Sequence, residues 1–165
     1  MKQLLIVRHA KSDWNDFSLS DFDRPLNSRG EKNAPEMAAR LVKKEIIPQQ
    51  IVSSPALRAI TTAKHFASIL GIAEREIVET EDIYEAMPST LLQVINNLNE
   101  SSSFTALFGH NPGVTGIIND LCGIDLGDIS TCGMALINLP FDSWKMVSKG
   151  TGELVFYDYP KNGDD

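Results

Sequence analysis

Arg8-His9 closes the apolar run Leu4-Leu5-Ile6-Val7, and a short apolar run ending on chemically capable residues recurs twice further along. Ser53-Ser54-Pro55 follows Gln50-Ile51-Val52 and leads to Arg58, while Gly109-His110-Asn111-Pro112 follows Phe104-Thr105-Ala106-Leu107-Phe108. Guanidinium groups are always charged and present a planar fork of donors, which suits them to hold a phosphoryl group. A neutral imidazole can act as a nucleophile, and neighbouring positive charge keeps it neutral by lowering its proton affinity. Two arginines and two histidines gathered in one crevice would therefore bind a dianion such as a phosphoryl group, with His9 as the candidate nucleophile. The third histidine, His65, lies mid-helix with no strand end beside it and is read as structural or solvent-facing.

The elements that must bring these groups together follow from periodicity. Apolar runs alternate with helical patterns, which predicts βαβ units and a mainly parallel sheet. Residues 3–7, 50–53, 77–78 and 104–108 read as strands. Ser28 to Ile46 reads as a helix that Pro35 should kink or restart. Ser54-Pro55 looks like an N-cap with proline at the first helical position, opening a helix that carries Arg58 in its first turn and stops at Gly71. Pro88–Leu98 and a helix from Asn111-Pro112 through Leu121 complete the helical set, so His110 immediately precedes a helix N-terminus. Residues 134–139, 144–148 and 153–158 read as antiparallel edge strands, and Lys161–Asp165 as a frayed tail. In a parallel sheet the carboxyl ends of the strands line one edge, where ligands bind.

Composition bounds the partners. A chain of 165 residues with 42% hydrophobic and 22% charged residues is expected to form one domain over 1–165, burying about 70% of its unfolded surface. A net charge of −7 with no run of Lys and Arg argues against nucleic acid or an anionic membrane as partner. Positive charge must then be local, which suits selective binding of a small anionic group. The apolar part of the N-terminus is too short for a signal peptide and no long apolar run exists, so the protein is expected to be cytoplasmic. Cys122 and Cys132 are too few for a disulfide framework, lack metal-site spacing and read as buried thiols.

Four ordered blocks carry a family resemblance. They are Leu5-Ile6-Val7-Arg8-His9-Ala10-Lys11-Ser12, Asp23-Arg24-Pro25-Leu26-Asn27-Ser28-Arg29-Gly30, Ser53-Ser54-Pro55-Ala56-Leu57-Arg58-Ala59 with Thr62-Ala63, and Phe108-Gly109-His110-Asn111-Pro112-Gly113. Together they resemble the phosphoglycerate mutase-like histidine phosphatase superfamily, and within it the small SixA-type phosphohistidine phosphatase branch. The resemblance implies a three-layer α/β/α sandwich, no cofactor or metal, and a covalent phosphohistidine intermediate. It makes His9 the nucleophile, Arg8 and Arg58 the phosphate clamp, and His110 the group that completes the pocket. Ala10 stands where the wider superfamily has glycine, a replacement the small branch tolerates.

Ser12 and Asn15 match positions that bind phosphate in mutase-type relatives. Trp14 is expected to pack the pocket wall. Arg24 and Arg29 lie in the following loop; either could face the substrate, or cap the next helix or pair with Asp21 or Asp23. Glu85 is the candidate general acid, with a solvated surface carboxylate as the competing reading. The implied substrate is a phosphate displayed on a protein, a histidine-containing phosphotransfer domain being one such partner. A phosphomonoesterase for a small phosphorylated metabolite is the alternative enzyme, and a non-catalytic phospho-ligand binding module the alternative of another class. Mutase activity is disfavoured by the short span between Arg58 and His110, which leaves little room for a substrate-enclosing insertion.

Overall fold

The computed structural model describes residues 1–162, so Gly163–Asp165, the end of the tail expected to fray, lie outside the described residues. The alternating pattern becomes β1 (Lys2–Arg8), α1 (Ser28–Lys43), β2 (Gln50–Ser53), α2 (Leu57–Leu70), β3 (Val78–Glu79), α3 (Pro88–Asn96), β4 (Phe104–Gly109), α4 (Gly113–Cys122), β5 (Met134–Leu139) and β6 (Glu153–Asp158). One six-stranded sheet has the order β3-β2-β4-β1-β5-β6. The β1–β4, β4–β2 and β2–β3 pairs are parallel, whereas β5 joins β1 and β6 joins β5 antiparallel. Among the described residues no helix is long and apolar enough to cross a membrane.

A strand buried on both faces must be apolar throughout, and its two-residue period sorts the side chains between two cores. In β1, Leu5 and Val7 join Met37, Ala38 and Leu41 of α1 and Ala63, Phe66 and Ala67 of α2. Leu4 and Ile6 point the other way, to Leu91 and Ile95 of α3 and Val114, Ile117 and Ile118 of α4. Two helices thus cover each face, giving the three-layer α/β/α sandwich. The largest aromatic pair of the first core is Phe66 edge-on to Phe108, with ring centroids 5.0 Å apart.

Four local expectations need correction. Residues 144–148 form no strand: Trp144–Met146 is a 3-10 turn. Its polar groups are met by side chains instead of a ladder, since Asn96 Nδ2 donates to the carbonyls of Trp144 and Val147 and the buried Trp144 indole donates to Ser102 O. Pro35 does not interrupt α1, which runs through it. Its missing N–H costs only the partner of the carbonyl of Glu31, an exposed residue. That helix ends at Lys43 short of Ile46, because Glu45 turns into the left-handed region at φ 60° and Ile46 N donates back to Leu41 O. Finally, α2 begins at Leu57 with Ala56 as its N-cap, so Pro55 lies outside the helix, and Ser54 Oγ accepts from the Ala56 N–H ahead of it.

Phe66→Ala should destabilise the protein by about 3–5 kcal/mol, the range for removing a fully buried aromatic ring. Equilibrium denaturation by urea, read against wild type, measures it.

Candidate active site

The chain leaves β1 toward α1 on one face of the sheet and leaves the adjacent β4 toward α4 on the other, so a crevice opens between their carboxyl ends. A cleft of about 850 Å³ occupies that position, and Arg8, His9, Arg58, His110, Ser12, Arg24 and Glu85 all line it. Parallel register sets the two histidines side by side: Arg8 pairs with Gly109 across β1 and β4, and the His9 and His110 rings follow with centroids 5.2 Å apart.

His9 is buried, and its Nδ1 lies 2.7 Å from the carbonyl oxygen of Ala10. A carbonyl only accepts, so Nδ1 carries the proton and Nε2 keeps a lone pair. Burial drives the His9 pKa down to about 3, the Ala10 hydrogen bond opposes this, and His110, Arg58 and Arg8 add smaller depressions. Desolvation is thus the main reason the imidazole is neutral, ahead of the neighbouring cations to which the sequence pattern pointed. The loop is pinned from below. Ala10 N donates to Thr62 Oγ1, whose hydroxyl donates to Arg58 O on the first turn of α2. On the other side, a Cβ on Gly30 would run into the Lys11 carbonyl, so glycine lets α1 approach the nucleophile loop.

His110 has its Nε2 2.8 Å from Ser54 Oγ, which also accepts from Ala56 N, and its pKa falls to about 4, again mainly through burial and then through Arg58. Arg8 Nη1 and Asn111 Nδ2 both donate to Ile129 O, tying the ends of β1 and β4 to one carbonyl.

Asp21 organises the remaining cations. Its carboxylate accepts from Arg58 Nη2 at 3.0 Å, Arg24 Nη2 at 2.9 Å and the Tyr84 hydroxyl at 2.6 Å. The Tyr84 bond, followed by the two guanidinium groups, holds the carboxyl well below the usual carboxylate range. Tyr84 in turn is pushed up to about 12, by burial first and then by Asp21, and its ring stands edge-on to His110. Arg24 reaches Ser12 Oγ with its other terminal nitrogen and stacks on Trp14, its guanidinium carbon 3.5 Å from the ring centroid. The Nε groups of Arg8, Arg24 and Arg58 and the Nδ1 of His110 are buried with no hydrogen-bond partner in the protein. The three guanidinium Nε–H groups are donors suited to the oxygens of an anion.

The structure therefore brings together seven of the eight sequence-derived site residues. It does not bring in Asn15, which is exposed, lies outside the cleft lining and donates only its backbone N–H, to Asp13 Oδ1. Trp14 forms cleft wall but stays 66% exposed, at the mouth. Arg24 both pairs with Asp21 and faces the cleft, whereas Arg29 is exposed outside it. Glu85 sits on the rim with a positive φ of 52°. His65 pairs with Glu31 on the surface. Cys132 is buried and Cys122 only partly so. Asp21, Tyr84, Ser54 and Thr62 were not named as site residues from sequence, although Ser54 was read as a cap, Thr62 stood in one of the family blocks and Asp21 was offered as a partner for an arginine. Of these only Asp21, three residues before Arg24, carried a signal for the site, since that spacing allows a pair.

Comparison with known proteins fixes the class. Residues 4–88 match the sequence model of the histidine phosphatase superfamily, branch 1, and the chain belongs to that family. It is a phosphatase whose type within the superfamily is that of SixA. A chain assigned as the phosphohistidine phosphatase SixA of Agrobacterium tumefaciens superposes with a TM-score of 0.82 at 26% identity, covering 96% of this chain and 98% of the other. The protein histidine phosphatase SixA in complex with tungstate superposes at 0.83 with 22% identity, covering 97% and 98%. By sequence, an uncharacterised chloroplastic protein of Arabidopsis thaliana is 32% identical over 152 residues, which is 87% of this chain and 69% of that protein.

The two buried imidazoles make stability depend on pH. Between the ordinary value of 6.5 and the folded values of about 4 for His110 and about 3 for His9, the unfolded chain binds protons that the folded chain does not. Stability should thus fall as pH drops below 6.5, with a limiting slope of about 1.4 kcal/mol per pH unit for each imidazole. Denaturant midpoints between neutral and mildly acid pH test this, and the slope should flatten in H9N/H110N.

Proposed function

We propose that this chain hydrolyses phosphohistidine on a protein, through a covalent intermediate on His9 and without a metal. The observation that carries the reading is the His9 tautomer: Nδ1 is committed to Ala10 O, so the Nε2 lone pair is the nucleophile, in a cleft shared with three guanidinium groups. Nε2 attacks phosphorus in line and the leaving group departs; water then attacks the phosphohistidine, releasing phosphate and regenerating the imidazole. Arg8 and Arg58 bear the charge on the equatorial oxygens throughout, with Arg24 and Ser12 beside them and His110 contributing through the nitrogen that Ser54 leaves unengaged.

The leaving group decides what acid is needed. An alkoxide needs a proton, and a positioned acid contributes about 10²–10⁴ in rate. Among the described residues Glu85 on the rim is the one carboxylate besides Asp21 that lines the cleft, and Asp21 is held ionised by its partners. An imidazole leaving group asks less of Glu85, which favours phosphohistidine over an alkyl phosphate. A protein substrate, a histidine-containing phosphotransfer domain among the candidates, is supported by what surrounds the cleft. The span from Arg58 to His110 supplies α2, β3, α3, β4 and short turns and no large insertion, and Trp14 and Met87 stand exposed at the mouth of the cleft.

His9→Ala should abolish turnover and phosphoenzyme formation while the fold survives, as read by phosphatase assay, labelling and thermal melting. Arg58→Ala should weaken vanadate binding by about 1.5–3 kcal/mol, the range for a hydrogen bond to a charged group, and His65→Ala should leave it unchanged. Equal effects of the two would show that the pocket is misassigned.

Substrate and metal are tested together by kcat/KM for a phosphohistidine peptide and a phosphoserine peptide, each with and without excess chelator. Faster cleavage of phosphohistidine, unchanged by chelator, is expected. A phosphoserine or sugar-phosphate preference of about tenfold, or roughly 1.4 kcal/mol, would make the enzyme a metabolite phosphomonoesterase. Loss of activity in chelator would overturn the mechanism.

A further inference from the structure

A second groove of about 550 Å³ adjoins the active-site cleft, and Arg8, Lys11 and Thr131 line both. Among the described residues five cations face it, Arg8, Lys11, Arg29, Lys32 and Lys161, against the single carboxylate of Glu36. Such a gathering is unexpected in a chain of net charge −7. Among the described residues only Lys32 of the four outer cations meets a carboxylate, at 3.9 Å from Glu36, while Lys11, Arg29 and Lys161 form no ion pair.

Local stability does not account for two of these charges. Arg29 and Lys32 sit in the first turns of α1, the end at which a helix favours negative charge. They are also three residues apart and so share a face as like charges, an unfavourable arrangement. Arg8, a residue of the wall common to both grooves, has its Nε buried without a partner. Asp128 exerts the largest opposing charge on Arg8 and does not line the groove.

We propose that this groove is an accessory anion subsite, which holds a second oxyanion of the substrate, a phosphate or a carboxylate, while the phosphoryl group lies against His9. The inference rests on the phosphoryl assignment of the neighbouring cleft and adds a selectivity to it. Substrates carrying an acidic group next to the scissile phosphate are preferred over those presenting the phosphate alone. In a protein substrate that group is an aspartate or glutamate beside the phosphohistidine, and in a small molecule a second phosphate.

The test compares orthophosphate with inorganic tripolyphosphate by calorimetric titration of wild type, R29Q/K32Q and R58A at low salt. Both residues replaced in the double variant are exposed, so its fold is retained. Wild type should bind tripolyphosphate about tenfold more tightly than orthophosphate, roughly 1.4 kcal/mol. R29Q/K32Q should lose that advantage and keep its orthophosphate affinity, and added salt should erode the same advantage first. R58A should weaken both ligands. Retention of the full tripolyphosphate advantage by R29Q/K32Q overturns the subsite. Unchanged orthophosphate binding in R58A would instead overturn the phosphoryl assignment, so the two failures are distinguishable. Phosphohistidine peptides with and without a flanking glutamate identify the source. A glutamate-dependent gain in kcat/KM that disappears in R29Q/K32Q assigns a carboxylate, and a lost tripolyphosphate advantage without such a gain assigns a second phosphate.

Discussion

The hydrogen bond between His9 Nδ1 and the Ala10 carbonyl is the constraint on which the site depends. It fixes the tautomer, and burial fixes the charge, so that one nitrogen of one ring is left both neutral and aimed. Everything around serves that bond. Thr62 holds the Ala10 amide, Cys132 N donates to the carbonyls of Arg8 and His9, and Gly30 lets α1 close against Lys11. Burying an imidazole costs its protonated form its hydration, and the fold exploits this penalty to keep a base unprotonated without a dedicated partner carboxylate.

The sheet sets the distances. Because β1 and β4 are adjacent and parallel, residues one step beyond their paired ends must emerge together, which is why His9 and His110 meet although their positions in sequence are remote. Inserting β4 between β1 and β2 sends the chain to opposite faces at that edge, and the crevice follows from connectivity. The first turn of α2 then brings Arg58 in from the β2 side.

What could be read from sequence was what is local. An apolar run ending in Arg8-His9 or Gly109-His110 announces a strand and its end, and the βαβ alternation announces the edge at which those ends gather. What could not be read was pairing at long range. Asp21 meets Arg58 and Tyr84 across 37 and 63 residues, and its spacing to Arg24 announces a local pair but not a hub. Asn15 was named by its match to mutase-type relatives and lies outside the cleft, because a matching position says nothing about direction in an irregular loop. Residues 144–148 alternated like a strand, yet a buried indole seeking an acceptor and the Asn96 amide imposed a turn. Ser54 was read as the N-cap of α2, yet its hydroxyl oxygen accepts from Ala56, the residue that caps the helix, and serves a histidine from another element.

Under the mechanism proposed above, the Asp21 carboxylate also bears on how the catalytic cycle would end. Three guanidinium groups facing a dianion at close range would retain inorganic phosphate, and an enzyme that retains its product turns over slowly. By sharing its two oxygens between Arg24 and Arg58, Asp21 withdraws part of their charge from the cleft while keeping their planes aligned. Alignment serves the transition state, in which the equatorial oxygens spread. The withdrawn charge weakens the hold on the relaxed tetrahedral product. One acidic residue thereby sets both the grip of the pocket and its release.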